Sequence, residues 1–175
     1  MTEMMPAERP PASILRTALI GLSAVGALGA AADLAIARHW QTPVQFIPWI
    51  TLIVIGVGIT FLAARPSPVT IKAVRVIALV VAAASAFGVY EHVNANYAAG
   101  PLDAVYGETW DSLSPLTQWW TAATQGVGPA PTLAPGVLAY AALSLFLATL
   151  RHPANNTSRS SGTSPRRAST DDVTS

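Results

Sequence analysis

The chain has 175 residues, 51% of them hydrophobic and only 11% charged, a balance outside that of ordinary soluble domains. It contains no cysteine, which excludes disulfides, thiolate metal sites, cysteine nucleophiles and CxxC redox chemistry. The net charge of +1 says little about partners, but nine arginines against one lysine point to a G+C-rich genome and hence to a bacterial inner membrane.

In chain order, a polar lead over 1–13 is followed by 21 residues between Arg16 and Arg38 that hold a single charge, Asp33, and predict a helix over about 14–37. A competing reading as a signal peptide rests on Arg16 and on Gly29-Ala30-Ala31-Ala32, but the apolar run continues through Leu34-Ala35-Ile36 and is long enough to span. The short 38–44 connection, with Pro43, sets a second helix over 45–64 antiparallel to the first, and Pro48 sits in its first turn, where a missing N–H costs little. Arg65-Pro66-Ser67-Pro68 reads as a tight turn. A third helix is predicted over 71–93 and a fourth over 133–150, with Pro135 in its first turn. These runs approach or exceed the roughly 18–20 apolar residues that cross a bilayer as a helix, and they do not suit period-2 barrel strands. The expected fold is therefore all-α: an integral membrane, antiparallel four-helix bundle occupying 14–151.

The outer 94–132 loop is too long for a plain connector. Ser114-Pro115 is a helix start, Gly126 a stop, and Leu113, Leu116, Trp120 and Ala123 fall near one face. This predicts a short amphipathic helix over about 113–125, lying in the interface on Trp119 and Trp120 and serving as a folded cap rather than a ligand lid. The 152–175 tail is rich in Ser, Thr, Asn and Arg and is expected to be a disordered cytoplasmic segment. Within it, Arg166-Arg167-Ala168-Ser169 resembles a basophilic kinase site with Ser169 as the acceptor, a string that also arises by chance in such tails. Asn155-Asn156-Thr157 matches a glycosylation sequon but falls on the inner side.

Orientation follows from the cations. Arg9, Arg16, Arg65, Lys72, Arg75, Arg151, Arg159, Arg166 and Arg167 share one side, and Arg38 alone lies on the other. Cytoplasmic segments carry such an excess, so both termini are expected inside a bacterial plasma membrane. Asp103, Glu108 and Asp111 are outside, and all five tryptophans fall at or beyond the outer boundary, as in an interfacial belt.

Ionisable residues within spans are costly, which singles out Asp33. Gly29, Ala30, Gly26 and Gly21 share its helical face, and Gly88, Ser85 and Ala84 lie beneath His92 in the same way, so both should face inward. Asp33 is 17 residues from Arg16, and His92 is 17 from Arg75, which places both about 25 Å above the inner arginines. Pro48 and Ala134 fall at the same level on the other two helices. Glu91, Asn94 and Asn96 extend the cluster on one side, and Arg38 and His39 on the other. The favoured reading is a structural pair, Asp33 with His92 or with Arg38, that fixes helix register. The alternative is a metal or redox site in which His39, His92, Asp33 and Glu91 offer N/O ligands to zinc, iron or manganese, although no HxxxH or ExxH spacing supports it. Haem between His39 and His92 is hampered by the short loop holding His39. A transporter needs a polar path, and the second and fourth helices supply no ionisable residue at depth. There is no GxSxG, Walker, HExxH or phosphate-loop motif, so no catalytic residue and no cofactor are expected. The basic residues have no interleaved aromatics, so nucleic acid is not an expected partner. The expected partners are the bilayer and other membrane proteins or a second copy.

The segments Asp33…Arg38-His39-Trp40…Gln45-Phe46-Ile47-Pro48-Trp49, Gly88-Val89-Tyr90-Glu91-His92…Asn96 and Leu133-Ala134-Pro135-Gly136 together resemble small four-span bacterial membrane proteins without an assigned function. The resemblance covers about 33–136 in patches. It implies a four-helix fold in a bacterial membrane and carries no activity. The functional expectation is a non-enzymatic structural or interaction subunit.

Overall fold

A computed structural model describes residues 11–150 and 152–153, which form five α-helices and no β-strand. These are α1 (Pro11–Ile36), α2 (Ile47–Ala64), α3 (Pro68–Ala99), α4 (Pro115–Ala123) and α5 (Gly136–Ala148). The stretches Ala12–Ile36, Pro43–Ala64 and Pro68–Leu102 are each long and apolar enough to cross a membrane. The tail expectations, including Ser169, and most of the N-terminal lead lie outside the described residues.

Proline and its neighbours set the helix starts. Ser67 caps α3 by accepting the Thr70 N–H at 3.1 Å, with Pro68 in the first turn, so Arg65-Pro66-Ser67-Pro68 turns the chain sharply. Ser114 and Pro115 open α4 in the same way, with the Thr117 N–H on the Ser114 hydroxyl. Two helices differ from their expected lengths. α3 continues six residues past 93 to Ala99, because no glycine or proline interrupts it between Gly88 and Gly100-Pro101. α5 has 13 α-helical residues in place of the expected 133–150, with i→i−3 turns at its ends, such as Gly136 to Leu133 and Thr149 to Phe146.

α1 packs against α5 and α2, and α3 packs against the same two, so α1 and α3 stand diagonally. The first three helices are therefore not mutually adjacent as their short connections suggest; α5 returns between α1 and α3. A single apolar core joins Ile55 and Leu62 of α2, Ile71, Val74 and Val81 of α3, and Leu145 of α5. The α1–α5 seam is a close approach. The Ser23 hydroxyl donates to the Ala141 carbonyl at 2.8 Å, and a Cβ on Gly26 would lie 3.3 Å from the Ala141 Cβ. The packed stripe is thus Ser23, Gly26 and Ala30. Gly21 and Gly29 face open space, which corrects the wider small-residue face expected from sequence. At the opposite end from the cap-bearing tip of α3, Arg75 Nε donates to Thr149 Oγ1 at 2.9 Å and its Nη2 to the Thr149 carbonyl at 3.0 Å, closing the C-terminus of α5 with a cation.

The outer segment folds into a cap with its own small core, in which Trp110, Ala122 and Val127 meet Val93 and Tyr97 of α3. Trp110 is 2% exposed and lies over Gly100, where a side chain would collide with its ring. It belongs to the cap interior and not to the expected interfacial belt. α4 turns Gln118, Thr121 and Ala122 inward and leaves Leu116 and Trp120 exposed. Its apolar side therefore looks away from the protein.

The seam gives the first prediction. Gly26→Leu overpacks Ala141 and is expected to destabilise the fold by about 1–3 kcal/mol, whereas Gly21→Leu meets nothing and is nearly neutral. Thermal unfolding of the two detergent-solubilised variants measures the difference; equal losses would show that the seam lies elsewhere.

Candidate functional site

Because α5 begins only at Gly136, the outer halves of α1, α2 and α3 have no fourth helix between them. A cleft of about 690 Å³ occupies that space. Ala30 and Asp33 of α1, Pro48 and Thr51 of α2, Ser85, Gly88, Glu91 and His92 of α3, and Pro131, Pro135 and Leu138 around the start of α5 contribute to its wall. The cleft is blind, since Ile55, Val81, Ala141, Ala142 and Leu145 pack directly beneath it, each fully buried. Gly88 lets Pro135 approach to 3.1 Å of where a Cβ would stand, which closes the α3–α5 side.

The polar residues are held by ordinary backbone devices. α1 ends in a Schellman turn, with the His39 N–H on the Leu34 carbonyl and the Arg38 N–H on the Ala35 carbonyl. Arg38 takes the left-handed position (φ 50°) that glycine usually fills. That turn presents His39, whose carbonyl accepts the Trp49 indole N–H at 2.7 Å. The Gln45 side-chain oxygen accepts the Gln41 and Thr42 N–H groups and fixes the rest of the connection. His92 Nδ1 donates to the Pro131 carbonyl at 2.8 Å, so Nδ1 carries a proton. The His39 and His92 rings lie 6.2 Å apart between centroids.

Asp33, His39, Glu91 and His92 all line the cleft, as do Pro48 and Ala134. The expected direct pairing of Asp33 is absent: among the described residues no hydrogen bond or ion pair joins Asp33 to His92 or Arg38, or holds the Glu91 carboxylate. Asp33 is exposed on the cleft wall because α5, which covers Gly26 and Ala30 below it, stops short of its level. Among the described residues no three His, Asp or Glu side chains converge as a metal-holding group, so His39, His92, Asp33 and Glu91 share a cavity without forming an ion cage.

Asn96 is a second correction, for it belongs to the cap. Fully buried, its amide donates to the Ala122 and Ala130 carbonyls at 3.2 and 2.9 Å, and its Oδ1 accepts the Ala130 N–H at 2.8 Å. Gly128, at φ +72°, passes where a Cβ would strike Asn96. Sequence reasoning missed Gln118, whose amide donates to the Trp110 carbonyl at 2.7 Å while its oxygen accepts the Tyr97 hydroxyl at 2.8 Å. A glutamine on the inner face of a helix followed by two tryptophans was the available signal. Also missed was Thr51, which with Ser85 gives the cleft floor a polar margin.

Burial, and then the neighbouring His92, hold the His39 imidazole below its usual pKa of 6.5, while Asp33 pulls in the opposite direction. His39 is therefore neutral at pH 7. The chain matches no known protein family, no curated protein and no solved structure.

Two predictions follow from this geometry. Asn96→Leu removes three hydrogen bonds and strands the half-buried Ala130 amide, so a loss of about 1–3 kcal/mol is expected, seen as protease sensitivity of the cap in limited digestion. For His39 the folded pKa is depressed, so its contribution to stability is complete above 6.5 and is lost as pH falls from 6.5 through the folded value. Melting temperatures at pH 7.5 and 5.0 should diverge less in His39→Gln than in the parent chain; equal divergence would place the titration elsewhere.

Proposed function

We propose that this chain is a four-span integral protein of a bacterial plasma membrane, with both termini cytoplasmic, acting as a non-enzymatic binding subunit whose blind cleft opens on the outer face. Several observations support the membrane setting. Beyond the three long apolar helices, Leu28, Ile53, Phe61, Val76 and Leu143 point away from the packed core and are exposed, an apolar surface that a bilayer covers. The end turns of α5 lengthen a helix that alone rises about 20 Å, which supports a fourth crossing. Leu116 and Trp120 on the outer side of α4 suit a helix resting in the interface.

The observation that carries the functional reading is the cleft itself, a ligand-sized cavity at the end opposite the cluster of cations and closed beneath by apolar packing. A sealed floor favours binding over passage, and non-convergent His, Asp and Glu side chains favour it over a metal centre.

The native chain has no cysteine, so single cysteines give a clean test. Ala84→Cys on the cleft wall is expected to react with a membrane-impermeant thiol reagent added outside, and Ala78→Cys in the core below is expected not to react. Equal labelling of both would indicate a through-path and favour a transporter component. Reporter fusions after Arg151 and near Asp103 test the orientation independently, the first active only inside and the second only outside.

A further inference from the structure

We propose that the ligand of the outer cleft is a small cationic amphiphile, an ammonium group carried on an apolar chain, seated between Asp33 and Glu91. This rests on the binding reading above and names the chemistry that the cleft selects. The wall holds two carboxylates and no lysine or arginine. Arg38, the lone cation on this side of the chain, is absent from the lining although it directly precedes His39. Neither carboxylate is held by a hydrogen bond or ion pair among the described residues, so each keeps its full acceptor capacity toward whatever enters. A carboxylate at an apolar wall without a counter-charge is costly, and an ammonium group relieves that cost at both residues.

The imidazoles leave the carboxylates unpaired: burial holds His39 below its usual pKa, and the His92 Nδ1–H is already taken by the Pro131 carbonyl. Most of the remaining wall is apolar: Leu34, Pro48, Phe87, Pro135, Val137 and Leu138 outweigh the uncharged polar margin of Thr51 and Ser85. A polar, anionic rim above an apolar pocket fits a molecule with the same division. The volume of about 690 Å³ is far larger than a bare inorganic cation needs and lies within the range of small-molecule sites. A phospholipid amine is disfavoured, because its phosphate would enter a cleft that offers no cation to receive it.

The test uses the full chain in nanodiscs, with octylammonium, octanol and octanoate as probes, followed by isothermal titration at pH 7.5. Octylammonium is expected to bind, with octanol about tenfold or more weaker and octanoate weaker still, the scale of a charged hydrogen bond. Asp33→Asn with Glu91→Gln should lower octylammonium affinity to that of octanol and leave octanol unchanged, which also shows that the variant cleft is intact. If all three probes bind equally, or if the double variant keeps its preference for the amine, the cleft is a binding site but the charge assignment is wrong. If none binds, the binding reading itself falls. Native-membrane extraction with a lipid-retaining polymer adds a second arm: selective retention of phosphatidylethanolamine, lost in the double variant, would replace the free amine by a lipid and overturn the proposal.

Discussion

The 13 residues of α5 rise about 20 Å, whereas the 32 of α3 rise about 48 Å, and a helix so much shorter than its neighbours cannot cover their outer halves. That mismatch governs the rest of the structure. Below Gly136, α5 fills the space between α1 and α3 so tightly that only glycine and alanine fit the seam at Gly26 and Ala141. Above it, the same faces diverge around a cleft, and the chain must return from the top of α3 to the start of α5 through the folded cap. The polar residues sit where this missing turn of helix leaves room for them.

The two ends of α5 are accordingly finished in different ways. At its C-terminus Arg75 donates two hydrogen bonds to Thr149, a cation at the negative pole of the helix. At its N-terminus the chain enters the helix through Pro131 and Pro135, and the Pro131 carbonyl is taken up by His92. The second arrangement ties a cleft histidine to the strand of backbone that closes the cleft, so the orientation of that ring and the position of the cap are mechanically one matter. Asn96 does the same a turn further out, holding Ala122 and Ala130 from a single buried side chain.

Much of the helical layout was legible because its causes are local. Charge-free runs mark apolar helices, and Ser67-Pro68 and Ser114-Pro115 mark starts by capping and by the fixed φ of proline. Asp33, Pro48, His92 and Ala134, which counting from the arginines set at one level, all line the cleft. What could not be counted was rotation and partnership. Gly21 and Gly29 looked equivalent to Gly26, yet only Gly26 touches α5, because that depends on which helix comes to lie beside it. Asp33 and His92 looked like a pair because both face inward; the diagonal placement of α1 and α3 and the Pro131 carbonyl settle the matter otherwise. The stretch from Asn94 to Asn96 read as loop, since the apolar partners of this part of α3, Trp110 and Val127, arrive from distant sequence.

α3 is continuous from the Ser67 cap to Gly100 and contributes side chains to both apolar cores, Ile71, Val74 and Val81 to one and Val93 and Tyr97 to the other. An unbroken hydrogen-bond ladder through two cores makes them one cooperative unit, in which opening of the cap carries strain down the same rod that the lower core grips. The cap then behaves as part of the bundle and not as a detachable module: amide hydrogens near Asn96 are expected to exchange together with those near Val81, and a hinge engineered at Gly88 is expected to separate the two.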